Sequence, residues 1–232
     1  MKKLVACLLA YVLAGQFSML RAEQSASAAT QIHVSSAAYL RSVIESLSRT
    51  HLAFKAVNDS GQRRSMVDRM TAVQNASIEV GIAKRSLQEF TSAENETLAL
   101  SAGGVVVAYE FMQKSLSISL AAYEQLDAAK SEEDLVGLRR QISDAKVLYQ
   151  QASNALVEAT SLAFMSGIVP DPKDPKNHIA ISMTAPEKKE LINLLESRFG
   201  PSLRKKTDDD SGPLKAAQGL VAMLDKNWAH AN

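Results

Sequence analysis

The chain has 232 residues, and its 26 Lys and Arg against 25 Asp and Glu leave a formal net charge of +1, which excludes the strong positive excess that holds a polyanion. Hydrophobic residues make up 46% and aromatics only 5%, so the length suffices for one sizeable core filled mainly by aliphatic side chains. The one cysteine, Cys7, lies in the N-terminal segment, which bears directly on compartment.

Met1-Lys2-Lys3, the uncharged residues 4–14 and then Leu20-Arg21-Ala22 follow the three-part plan of a secretory signal, with cleavage expected after Ala22. An apolar run of about a dozen residues is too short to span a membrane comfortably; an uncleaved anchor reaching Leu20 is the alternative. Cleavage removes Lys2, Lys3 and Arg21, three of the 26 basic residues, and none of the 25 acidic ones, so the mature chain is at −2. Cys7 leaves with the signal, and with it any disulfide, thiolate metal site or c-type haem linkage. The expected setting is the periplasm, or the exterior, of a bacterium. No transmembrane segment is expected in the mature chain, and no nucleic-acid partner.

After a Ser/Ala-rich lead-in over 23–30, His33, Ala37, Leu40, Ile44, Leu47, His51 and Phe54 keep helical spacing and define a first helix. Turn formers at Asn58-Asp59-Ser60-Gly61 predict its end, with Asp59 and Gln62 as a capping box for the next. Met66, Met70, Val73, Ser77, Val80 and Leu87 mark the second helix, with Lys84 as the one charge on that register and Ile78, Ile82 and Ala83 as a neighbouring stripe. Thr91 with Glu94 predicts the next break; without one, a single rod of about 100 Å would result, too long to bury compactly. The third helix repeats Leu98, Ala102, Val105, Tyr109, Met112, Leu116, Ser119, Tyr123 and Leu126, and its internal Gly103-Gly104 predicts either a close helix approach or a bend. Ser131 with Asp134 opens the fourth. There Leu135, Leu138, Ile142, Ala145, Tyr149, Ala152, Leu156, Ala159 and Ala163 alternate threes and fours over about four heptads, with Gly167 as the stop.

Pro170, Pro172 and Pro175 then bar any helix over 168–176, and a short extended piece is expected over 178–183. Thr184 and Glu187 cap a fifth helix bearing Leu191, Ile192, Leu194, Leu195 and Phe199, stopped by Gly200-Pro201. A sixth, from Pro213 to about Trp228, carries Leu214, Ala217, Val221 and Leu224, with Trp228 as an anchor. The fold class is therefore all-α: an up-down antiparallel four-helix bundle with a C-terminal helical pair after a Pro-rich linker. The expected division is signal peptide 1–22, bundle 23–167, linker 168–183 and docked pair 184–232.

The motif search is mostly negative. Glu-x-x-His pairs, His-Glu-x-x-His, Walker-type and Gly-x-Ser-x-Gly sequences do not occur in this chain. No enzyme activity, no cofactor and no metal site is expected. The one constellation with site chemistry is His51 facing Met66 or Met70 across the first turn, the ligand pair of b-type cytochromes and a set that suits copper. Against it, Met at helical spacing is core filler and Ala-rich seams space helices too closely for haem. The leading function is thus a non-enzymatic exported binding or scaffold protein that offers a helical face to another protein or to its own copy. Apolar positions beside the third seam, Val106, Val107 and Phe111, motivate it. The alternative is a haem- or copper-binding bundle using the His51 and Met66 or Met70 layer.

Overall fold

Each long helix begins where a side-chain oxygen can take up backbone N–H groups that have no partner within the helix. In the computed structural model, which describes residues 35–62, 65–126, 129–165, 169–171, 174–179, 183–204 and 211–225, Ser35 Oγ accepts from the Ala38 N–H at 3.2 Å and opens α1, Ser36–Gly61. Ser65 does the same for α2, Met66–Gln88, accepting from Asp68. A 3-10 turn, Glu89–Ser92, follows, and Asn95 Oδ1 then accepts from Thr97 and Leu98 to start α3, Glu96–Leu126. Ser131 and Asp134 cap α4, Glu132–Met165, reciprocally. Hydrogen bonds from the Ser131 side chain and from the Lys130 and Ser131 backbones hold the Asp134 carboxyl below its usual range. Thr184 and Glu187 form a full capping box on α5, Ala185–Phe199, and the Thr184 backbone and hydroxyl likewise depress Glu187. After Gly200, at φ +52°, a 3-10 turn leads on toward α6, Gly212–Leu224.

Three boundaries differ from the sequence expectation. α1 continues through Asn58-Asp59-Ser60-Gly61, because Ser60 bonds back to the Val57 carbonyl at 2.7 Å and its side chain is buried; the cap of α2 is Ser65, not Asp59. The break after α2 exists, but Asn95 makes the cap, not Thr91, whose hydroxyl bonds to the Gln88 carbonyl. Part of the Pro-rich stretch is a small antiparallel ribbon, β1 Val169–Asp171 with β2 Asp174–Ile179, in which Val169 faces Ile179. Gly167 and Trp228 lie outside the described residues.

The fold is all-α. Hydrogen bonds between helices fix their directions: Ser101 Oγ donates to the Ala159 carbonyl and Ser115 Oγ to the Ala145 carbonyl, equal steps in opposite senses, so α3 and α4 are antiparallel. Tyr39 meets Ser101 and Ser46 meets Tyr109, steps in the same sense, so α1 and α3 run parallel across the interior. α1, α2, α3 and α4 pack in series, but α1 and α4 scarcely touch; α6 packs against both, and α5 lies on α1 through the Arg41–Glu190 and Glu45–Arg198 pairs. Residues 33–232 form one unit, so α5 and α6 share a core with the long helices.

That arrangement explains the burial of α1 on two sides. Leu40, Ile44, Leu47, His51 and Phe54 are covered as the periodicity predicts, and so are Tyr39, Val43, Ser46 and Thr50. Close approach is built into α3 at Gly104, where an added Cβ would stand 2.8 Å from the Ala159 Cβ. Of the two uses predicted for the paired glycines, contact with a neighbouring helix is the one realised.

Candidate protein-interaction face

His51 sits deep in the helical body. Its Nδ1 is 3.2 Å from Ser211 Oγ, the residue preceding α6, and its ring lies 5.6 Å from that of Phe199 at the end of α5. Close by, Gly212 presses so tightly on Ser153 of α4 that a Cβ would come within 2.4 Å, and Ser153 Oγ is buried with no partner among the described residues. These contacts tie the C-terminal helices to α1 and α4.

Met66 and Met70 are half-buried on α2. The Arg49–Glu79 pair, 2.6 Å, sets the register of α1 against α2 and brings His51 level with Ser77. At 1.5 Å per residue, Met70 then lies about 10 Å and Met66 about 16 Å further along the axis. The expected His/Met layer rested on a turn centred at Asp59; the real turn, four to five residues later, carries both methionines toward the end of the helices and separates them from His51. Among the described residues no three metal-ligating side chains come together, and no helix is long and apolar enough to cross a membrane.

Two buried phenols form the polar heart of the core. Ser101 spends its proton on the Ala159 carbonyl, so Tyr39 donates to Ser101; Ser46 spends its own on the Val43 carbonyl, so Tyr109 donates to Ser46. Burial raises the Tyr39 pKa well above its usual value, against the lowering effect of Ser101. Burial likewise pushes Tyr109 up to about 12, opposed by the Ser46 and Thr50 hydroxyls. Each phenol is saturated by structural bonds, which suits a role in fixing helix register. The largest surface hollow, about 370 Å³ between α1 and α2, has an alanine floor that includes Ala53 and Ala76 and an acidic rim of Asp59, Asp68 and Glu79.

The outer face of α3 is the remaining feature. Ser101 and Gly104 turn to α4, Tyr109 to α1, and Glu110 and Gln113 to α2, where Lys84 meets Glu110 at 3.5 Å as a partly exposed edge lysine. What is left points outward: Leu100, Val107, Phe111 and Ile118, with Lys114 between them. Leu100 is 46% exposed and the other three apolar residues are half-buried. On α4, Ala145, Ala152 and Ala159 are buried toward α3, which leaves Leu148, Ala155 and Leu162 seven apart on the adjoining shoulder. Val106, named from the sequence as surplus, is absorbed into the core, whereas Val107 and Phe111 remain at the surface. Ile78, expected to share burial, is 60% exposed because α2 turns Ala76, Val80 and Ala83 inward. Comparison with family models, characterised proteins and solved structures gives no match.

Proposed function

We propose that this chain is a non-enzymatic exported binding or scaffold protein whose four long helices form an up-down bundle, with the α1–α4 side filled by α6, and whose outer α3–α4 face receives another protein. The observation that carries the reading is the row Leu100, Val107, Phe111 and Ile118 beside Leu148, Ala155 and Leu162: a heptad-spaced apolar seam on the outside of helices that already have a complete seam inside. A second seam on a helix surface is the pattern that a partner helix fills. Export rests on the first 22 residues, whose charge and hydropathy plan is that of a cleaved signal for a bacterial periplasm.

A photo-reactive residue placed at Leu100 in living cells tests this. Adducts are expected from Leu100 and not from Val136, an equally exposed apolar residue of α4 that lies off the seam. Absence of adducts at Leu100, or equal yield from both sites, contradicts the reading.

A further inference from the structure

We infer that the partner on the outer face of α3 is a second copy of this chain, with the two α3 helices antiparallel about a two-fold axis at the level of residue 109. This rests on the proposed interaction face and names its occupant.

A two-fold interface must be self-complementary. The outward residues of α3 satisfy this by position: Leu100 and Ile118 are equidistant from 109, and so are Val107 and Phe111. An antiparallel pair centred there sets Leu100 against Ile118 of the other copy and Val107 against Phe111, so every apolar residue of the row meets another. The one charged member, Lys114, falls opposite Gly103-Gly104, where no side chain obstructs its stem.

Charge complementarity follows from the α2–α3 register. Lys84 is level with Glu110, so the exposed Glu89, five residues past Lys84, is level with position 105 of α3. In the pair, Lys114 of one copy comes level with Glu89 of the other, at both ends of the contact. The two Lys84–Glu110 bridges meet at the axis, positive beside negative. Charged groups of α2 and α3 thus frame an apolar centre, the usual anatomy of a protein interface.

Sedimentation equilibrium of the exported protein, with a charge swap, is the test. The wild type is expected to dimerise, Phe111→Glu to be monomeric at the same concentrations with unchanged circular dichroism, and Lys114→Glu and Glu89→Lys each to weaken the dimer by about fivefold. The double variant carrying both charge reversals should recover wild-type association, which only direct cross-pairing of those two residues produces. A monomeric wild type, a dimer indifferent to Phe111→Glu, or failure of the double variant to recover overturns the inference. If the wild type is monomeric while the Leu100 probe attaches to a chain of different mass, self-pairing is wrong and the interaction face stands.

Discussion

Replacing Gly104 by alanine sets two effects of known sign against each other. In mid-helix, Gly→Ala ordinarily gains about 1 kcal/mol from restricted unfolded-chain freedom and better helix propensity. At Gly104 the new Cβ would lie 2.8 Å from the Ala159 Cβ, and neither group has a torsion to rotate away, so α3 and α4 must separate. Overpacking of that kind costs about 1–3 kcal/mol, and separation also lengthens the 2.6 Å Ser101–Ala159 bond beside it. The expected net is a loss of about 0.5–2 kcal/mol, seen as a melting temperature lower by about 2–6 °C in a domain of this size. Gly137→Ala on α4 is the control: with no atom within 4 Å, it should keep the propensity gain and raise the melting temperature by about 2–4 °C. Differential scanning calorimetry of both variants checks this. Equal stabilisation by the two would refute the close α3–α4 approach.

His51→Ala removes the contacts to Ser211 and Phe199 and should release the C-terminal helices; hydrogen exchange over 185–224 should speed by about 10- to 100-fold while α2 and α3 keep their protection. The buried phenols predict an alkaline limit. Their folded pKa values are raised, so the fold keeps its full stability from them below the unfolded value near 10 and loses it as pH rises through about 12 toward the Tyr109 value; denaturant midpoints should be flat below pH 10 and fall above it. Tyr109→Phe should remove about 1 kcal/mol through the lost bond to Ser46, and urea titration at neutral pH measures it. Asn95→Ala should destabilise by about 1 kcal/mol as a lost cap, whereas Thr91→Ala should cost less, because only Asn95 serves the first N–H groups of α3.

The periodicity of apolar residues carried much of this structure. The fourth seam was legible because α4 buries Leu138, Ala145, Ala152, Leu156, Ala159 and Ala163 on one stripe, and the Ser131 and Thr184 caps because their partners are local. The end of α1 was not, because Ser60 satisfies its hydroxyl within the helix and a cluster of turn formers carries no sign of that. That small shift had a large effect: it moved Met66 and Met70 out of the layer of His51. The burial of Tyr39, Val43, Ser46 and Thr50 also escaped one-stripe reading, since the second covering of α1 comes from helices more than a hundred residues later. A run of hydroxyls at 46, 48 and 50 beside a tyrosine at 39 was the available signal. The outer α3 face was half visible as Val107 and Phe111; its extent needed the register that Ser101, Ser115 and Gln113 set with their neighbours.

The account turns on whether the outer face of α3 is covered by protein in the exported molecule. In a Cys7→Ser background, single cysteines at Leu100 and at Val136 report this directly through their rates of alkylation in intact cells and in the purified, diluted and unfolded chain. Slow labelling at Leu100→Cys in cells, with Val136→Cys labelled at the rate of the unfolded chain, is the predicted result. Equal rapid labelling of both would contradict it.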